Sequence, residues 1–223
     1  MVGVRWQKRT VAVVETTPAF IVVGHPSSDV HASDIDPDAK AALDRQPISI
    51  PHNRYGLKVL RVLARLASKY GDRNPPEVGS TTDLTLPGPE GELSARLYTP
   101  EGAGQVPTVV FFHGGGYVLG DLETHDRLAR LLTRESGCAL LSVEYRLAPE
   151  NPFPAAVEDA YAAVEWAAAN STRLGGGDGL AVAGDSAGGT LATICALMAA
   201  ERDGPALEYQ ALLYPGVAVD ESQ

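Results

Sequence analysis

From Val109 onward the chain alternates between short, continuous apolar runs and longer stretches with apolar residues every three or four positions. Val109-Val110-Phe111-Phe112 is one such run, and Ala139–Val143, Leu180–Ala183 and Tyr209–Tyr214 are read as further strands. Unbroken runs of this length fit strands covered on both faces. The intervening stretches, Leu122–Ser136, Pro154–Ala169 and Ala187–Glu201, carry the helical period. Strands alternating with helices build βαβ units, so the pattern predicts an α/β fold with a mainly parallel sheet. Upstream the style changes. Thr81–Leu86 and Glu92–Tyr98 alternate about the turn residues Pro87-Gly88-Pro89-Glu90-Gly91, as an antiparallel pair does. Earlier still, Pro37 suits a first helical position ahead of Ala41, Ala42 and Leu43. A second helix is predicted over about Asn53–Tyr70, with Leu60, Leu63, Leu66, Ala67 and Tyr70 at helical spacing and Gly71 as its stop. Asn74-Pro75-Pro76 is a linker. No internal repeat or low-complexity tract interrupts this order.

Composition narrows the class. The 223 residues suit one α/β domain with a sizeable core, and 44% hydrophobic residues is too many for a disordered chain. Two cysteines are too few for a disulfide scaffold, and Cys138 and Cys195, in apolar surroundings, read as reduced core residues. With 18 basic and 28 acidic side chains the net charge is −10, which argues against nucleic acid and against an anionic membrane as partners. The charge is uneven. Residues 1–28 are net +2 and residues 29–223 net −12. Arginine outnumbers lysine 14 to 4. An acidic, lysine-poor surface fits a salt-tolerant protein, and a biased genome composition gives the same ratio.

The N-terminus does not read as a signal peptide, because Glu15, Thr16, Thr17 and Pro18 break the apolar run. No stretch approaches the roughly 18 apolar residues of a membrane span. The expected compartment is the cytoplasm. Residues 1–35 read as an extension outside the core, 36–76 as lid helices and 77–223 as a partial α/β core. The pattern also suggests a natural start at Val30; N-terminal sequencing of native protein would check it, and a native Met1 would overturn it.

Two glycine motifs carry the chemistry. Gly184-Asp185-Ser186-Ala187-Gly188 lies between a buried strand and a helix, the setting of a nucleophile elbow. There Gly184 and Gly188 keep side chains off a sharp turn, Ser186 is pushed out above the sheet, and the helix turns its positive end towards an oxyanion. His113-Gly114-Gly115-Gly116-Tyr117 follows the other buried strand, and its glycines leave backbone N–H groups free to converge on a carbonyl oxygen. A dinucleotide fingerprint from Gly114 would want glycine in place of Leu119, and a P-loop would want Gly-Lys-Ser/Thr. Gly175-Gly176-Gly177 fails the same comparison. His113 reads chiefly as a support for the loop, with a general base as the alternative. His25, His31, His52 and His125 lack metal-ligand spacing and read as incidental; no metal or cofactor is called for.

These motifs, with Glu144-Tyr145-Arg146-Leu147-Ala148-Pro149-Glu150 and Phe153-Pro154-Ala155-Ala156, resemble the hormone-sensitive-lipase-like branch of α/β-hydrolases from about residue 36 onward. The resemblance implies Ser186 as nucleophile, the N–H groups of Gly115, Gly116 and Ala187 as oxyanion hole, and Gly114 shaping the loop. It implies that the helices of residues 36–70 cover the site and that the substrate is a small carboxylic ester. Asn151 stands where many relatives carry histidine.

One departure is large. The family triad runs Ser, then Asp or Glu, then His. The 37 residues after Ser186 hold Glu201, Asp203, Glu208, Asp220 and Glu221 but no histidine. The expected fold is therefore an α/β-hydrolase core with N-terminal lid helices that lacks the C-terminal strands, a truncated esterase with the nucleophile half of its machinery. Loss of the base costs on the order of 10⁴–10⁶ in rate. Tyr209–Tyr214 is then expected to be an exposed, aggregation-prone sheet edge. The alternative is a non-catalytic small-molecule binder, as in the plant gibberellin receptors that resemble this family. Pairing with a separate fragment that supplies the acid and the base, or with a second copy as a homo-oligomer, stays open.

Overall fold

The structure is a computed structural model that describes residues 13–14, 19–21, 53–71 and 74–216. The predicted helix at residues 36–43 lies outside them. One mixed, mostly parallel sheet organises the chain. Its strands are β1 (Val13–Val14), β2 (Ala19–Ile21), β3 (Ser80–Gly88), β4 (Gly91–Thr99), β5 (Val106–Phe112), β6 (Ala139–Val143), β7 (Gly176–Asp185) and β8 (Tyr209–Leu213), in the order β1-β2-β8-β7-β5-β6-β4-β3. The register β3–β4 is antiparallel and pairs Leu84 with Ala95, so the alternation read in that hairpin is retained. β5 is central, parallel to β6 and β7, and β7 is parallel to β8.

The described helices are α1 (Arg54–Gly71), α2 (Asp126–Ser136), α3 (Ala155–Ala169), the short α4 (Ser171–Leu174) and α5 (Ala187–Glu201). On one face of the sheet, Val110, Phe112, Leu141, Val143 and Val182 pack with Ala160 and Val164 of α3 and Leu191, Ala192 and Cys195 of α5. On the other, Tyr98, Phe111, Leu140 and Ala183 pack with Ala129 of α2. Successive strand residues point to opposite faces, so only a strand covered on both sides can be buried throughout, as β6 is. The small residues of α5 let it lie close on β5 and β7. Truncating Leu191, fully buried between them, would cost about 2–5 kcal/mol.

Four sequence expectations change. The helix expected from Leu122 begins at Asp126, because Asp121 and Thr124 bond each other's backbone N–H and hold the chain in a turn. β7 starts at Gly176 rather than Leu180, since Val106 pairs with Gly176 and a side chain at Gly177 would overlap the Val106 backbone. Cys138 is half-buried at the start of β6 rather than in the core; Cys195 is fully buried. The β8 edge is not bare along its length, as β2 pairs Ala19 with Tyr209 and Phe20 with Gln210. That pairing also brings backbone from the 1–35 segment into the sheet.

Helix α1 faces the opposite way from a core helix. Leu57 is buried, but Tyr55, Val59, Val62, Leu63, Leu66 and Tyr70 are exposed. Its inward contacts are polar. Arg61 donates to the carbonyls of Val118 and Ala148 and to Glu150, and Arg65 pairs with Asp121 and Glu144. No helix of the described residues is long and apolar enough to cross a membrane.

Candidate active site

β7 ends at Asp185 and α5 begins at Ala187, leaving Ser186 alone in the turn at φ 50°, ψ −119°. This backbone conformation is costly for a residue with a Cβ, about 1–3 kcal/mol, and persists only where the surroundings enforce it. They do so here. The Ser186 N–H donates to the Leu213 carbonyl at 2.9 Å, and its own carbonyl accepts from Thr190 at 3.1 Å. A Cβ on Gly184 would overlap the Gly188 carbonyl, and one on Gly188 would overlap that of Phe112. Strand and helix thus approach to backbone contact. The half-buried Ser186 hydroxyl makes no bond to the helix it precedes. With the Ser186 N–H already engaged, the next backbone amide along the chain is that of Ala187, in the first turn of α5 where the helix field is positive.

The second turn follows β5. His113 is fully buried, its Nδ1 is 2.9 Å from the Gly114 carbonyl, and its ring stacks on Tyr145 with centroids 4.3 Å apart. The Tyr145 hydroxyl donates to the His113 carbonyl at 2.7 Å. Gly115 at φ 123° and Gly116 at φ 61° take backbone conformations that favour glycine. The Gly115 carbonyl accepts from Val118 and Leu119, whereas the N–H groups of Gly115 and Gly116 have no backbone acceptor among the described residues. Burial pushes the His113 imidazole down to about 4, against the opposing pull of its bond to Gly114. Its Nδ1–H therefore faces Gly114, and its bare Nε2 is buried without a partner among the described residues. That is far from the near-neutral pKa of a poised general base.

Asp185 joins the two turns. Its Oδ1 accepts the Gly114 N–H at 2.9 Å and lies 3.6 Å from Nε2 of His125. Burial alone would raise this carboxyl, but the hydrogen bond and charge from His125, with the Gly114 N–H, hold it below the ordinary range. His125, read from the sequence as incidental, thus sits against the residue that precedes Ser186. Nothing in its spacing signals this, because 60 residues separate the two. His25, His31, His52, Asp220 and Glu221 lie outside the described residues, and Glu201, Asp203 and Glu208 are exposed. No group of three metal-ligating side chains occurs among the described residues.

Beside Gly116 opens a largely apolar cavity of about 370 Å³, lined by Tyr117, Ala148, Phe153, Val157 and Ile194 among others. It has the size and lining of a site for a small organic group.

The model of the α/β-hydrolase fold family matches residues 109–223. The chain is 40% identical over 204 residues to the esterase LipI of Mycobacterium tuberculosis, covering 88% of this chain and 62% of LipI. It is 52% identical over 140 residues to the carboxylic ester hydrolase LipN of the same organism, covering 60% and 37%. Among solved structures, an esterase of Pyrobaculum calidifontis superposes with a TM-score of 0.74 at 41% identity, covering 84% of this chain and 61% of that one. A thermophilic carboxylesterase from a metagenomic library gives 0.71 at 39% identity, covering 78% and 59%. The chain spans about three fifths of the length of most of these relatives, and less of LipN.

Proposed function

Since the chain belongs to the α/β-hydrolase family of hormone-sensitive-lipase-like esterases, we propose that it carries the acylation half of a serine carboxylesterase. Ser186 is the nucleophile. Its oxygen adds to the carbonyl carbon of a small carboxylic ester, the carbonyl oxygen takes the negative charge, and collapse expels the alcohol to leave an acyl group on Ser186. The N–H groups of Gly115, Gly116 and Ala187 stabilise that oxygen, and the apolar cavity beside Gly116 takes an alkyl portion of the ester. His113 and Gly114 hold the loop, and Gly184, Asp185 and Gly188 hold the turn. The observation that carries the reading is the strained backbone of Ser186, whose own N–H is spent on Leu213 while its hydroxyl stays off the helix.

A serine hydroxyl needs a base to take its proton. Among the described residues neither histidine serves: His113 is fully buried and bonded to Gly114, and His125 is held between Thr124 and Asp185. Efficient turnover therefore calls for an imidazole and a carboxylate beyond them. The 223 residues alone are expected to hydrolyse p-nitrophenyl butyrate on the order of 10⁴–10⁶ more slowly than a complete triad, with the residual rate abolished in Ser186→Ala. A residual rate equal in Ser186→Ala would overturn the assignment. The same absence of a free base favours a second reading, a non-catalytic binder of small molecules. Saturable binding of an ester that is never cleaved, and never forms an adduct on Ser186, would establish it instead.

A further inference from the structure

We propose that Asp185, held by His125, is a positioning residue for the oxyanion loop, and that a continuous run of polar contacts links it to Arg65 on α1. The inference rests on the esterase reading for its catalytic meaning but not for its geometry. It begins at Gly114, whose peptide is pinned at both ends. Its N–H donates to Asp185 Oδ1, and its carbonyl faces the ring nitrogen of His113. The next two N–H groups are those of Gly115 and Gly116. On the other side, the backbone of Asp185 continues directly into Ser186. One carboxylate thus fixes the separation of the donors from the nucleophile, with one residue of slack on either side. A side chain on Gly114 would overlap this carboxylate, so the approach has no spare room.

The carboxylate is itself held from behind. His125 Nε2 faces Asp185 Oδ1, and His125 Nδ1 lies 3.1 Å from the Thr124 hydroxyl. Thr124 is locked to Asp121 through both backbone and side chain. The Asp121 carboxylate in turn accepts from Arg65 Nε at 2.8 Å. The single Thr124 hydroxyl proton goes either to the Asp121 carbonyl or to His125 Nδ1. In the first case a protonated His125 donates at both nitrogens, to Thr124 and to Asp185; in the second a neutral His125 presents Nε2–H to Asp185. In either form the imidazole supports the carboxylate. The outer helix that covers Gly120 and Asp121 is therefore tied by side chains to the loop that would bind the oxyanion.

Butylboronic acid tests this without turnover. Ser186 Oγ adds to boron, the hydroxyl proton leaves to solvent, and the tetrahedral anion places an oxygen where the oxyanion would sit. Calorimetric affinity and hydrogen exchange at the Gly114 amide are read on the full chain for wild type, Ser186→Ala, Asp185→Ala, Asp185→Asn, His125→Ala and Arg65→Ala. Asp185→Ala is expected to weaken boronate binding on the order of 10- to 100-fold and to speed Gly114 exchange. Asp185→Asn, which keeps an acceptor for Gly114, recovers part of both. His125→Ala loses several-fold, and Arg65→Ala, at the half-exposed end of the run, about two-fold. Unchanged boronate affinity and unchanged Gly114 exchange in a folded Asp185→Ala would overturn the proposal. Should that variant not fold, wild-type exchange and affinity in both Asp185→Asn and His125→Ala would overturn it. Wild-type affinity in Ser186→Ala would instead sink the esterase reading, and faster Gly114 exchange in Asp185→Ala would still support the positioning role.

Discussion

The two glycine-bearing turns that flank the site use the same residue type differently. In the Ser186 turn the glycines at 184 and 188 have ordinary backbone angles, and a side chain on either would overlap a backbone carbonyl of the neighbouring element. In the loop after β5, Gly116 has open space where a side chain would go, and Gly115 and Gly116 are needed for their positive φ. The first turn is a matter of packing alone; the second adds backbone freedom to packing, since a side chain on Gly114 or Gly115 would also overlap Asp185 or Leu119. Strain in the packed turn falls on a residue that is not glycine, Ser186, the one position from 184 to 188 at positive φ. The loop instead depends on its own His113 and on side chains from far along the chain, Tyr145 and Asp185.

The sharpest way to break this contrast is Gly188→Ala. Its methyl has only backbone carbonyls to displace, those of Phe112 and His113, and a loss of about 3 kcal/mol or more is expected from urea denaturation. A wild-type midpoint would mean that helix and strand are not in contact. Acid comes next. His113 is buried with its pKa lowered to about 4, against 6.5 for an ordinary histidine. The unfolded chain therefore binds the proton that the folded one refuses, so stability present above pH 6.5 is lost as pH falls from 6.5 towards 4. The loss amounts to about 3 kcal/mol at most. Denaturation midpoints across that range should fall in the wild type and flatten in His113→Gln; parallel profiles would show that the loop anchor does not titrate there. Tyr145→Phe leaves the His113 carbonyl without its donor and should cost about 2 kcal/mol by the same denaturation assay. Smallest is Gly116→Ala, about 1 kcal/mol, because φ 61° is strained for alanine while the methyl meets nothing. If it proved as damaging as Gly188→Ala, the two turns would not differ in kind.

The same contrast explains what could be read before the structure. Both motifs are local: a glycine needed for close approach or positive φ sits within two residues of the group it serves, so Gly184–Gly188 and His113–Gly116 are visible as strings. The buried strands β5 and β6 were legible for a similar reason, since a strand covered on both faces is apolar at almost every position, Thr108 and Ser142 being the polar exceptions. His125, Asp121 and Arg65 were not. His125 meets Asp185, and Arg65 meets Asp121, only because β7, the turn before α2 and the outer helix converge in three dimensions. Helix α1 shows a second limit. Its periodicity fixes a stripe of Leu63, Leu66 and Tyr70, but not the direction in which that stripe points. Arg61 and Arg65 find carbonyls and carboxylates on the core, and the stripe is turned to the outside. The late start of α2 follows from the Asp121–Thr124 pair, which competes locally with the helix that the apolar spacing alone would begin at Leu122.

The central claim is that the strained Ser186 hydroxyl attacks an ester carbonyl, and the acyl group left behind tests it most directly. The chain is mixed with p-nitrophenyl butyrate, quenched in acid and read by intact mass and peptide mapping. Both acylation and deacylation want for a base among the described residues, but p-nitrophenolate leaves far more readily than the serine alkoxide. Over a long incubation a single butyryl group should therefore accumulate on the peptide containing Ser186 and be absent in Ser186→Ala. A chain that stays unmodified, or one that is labelled equally in Ser186→Ala, would contradict the account.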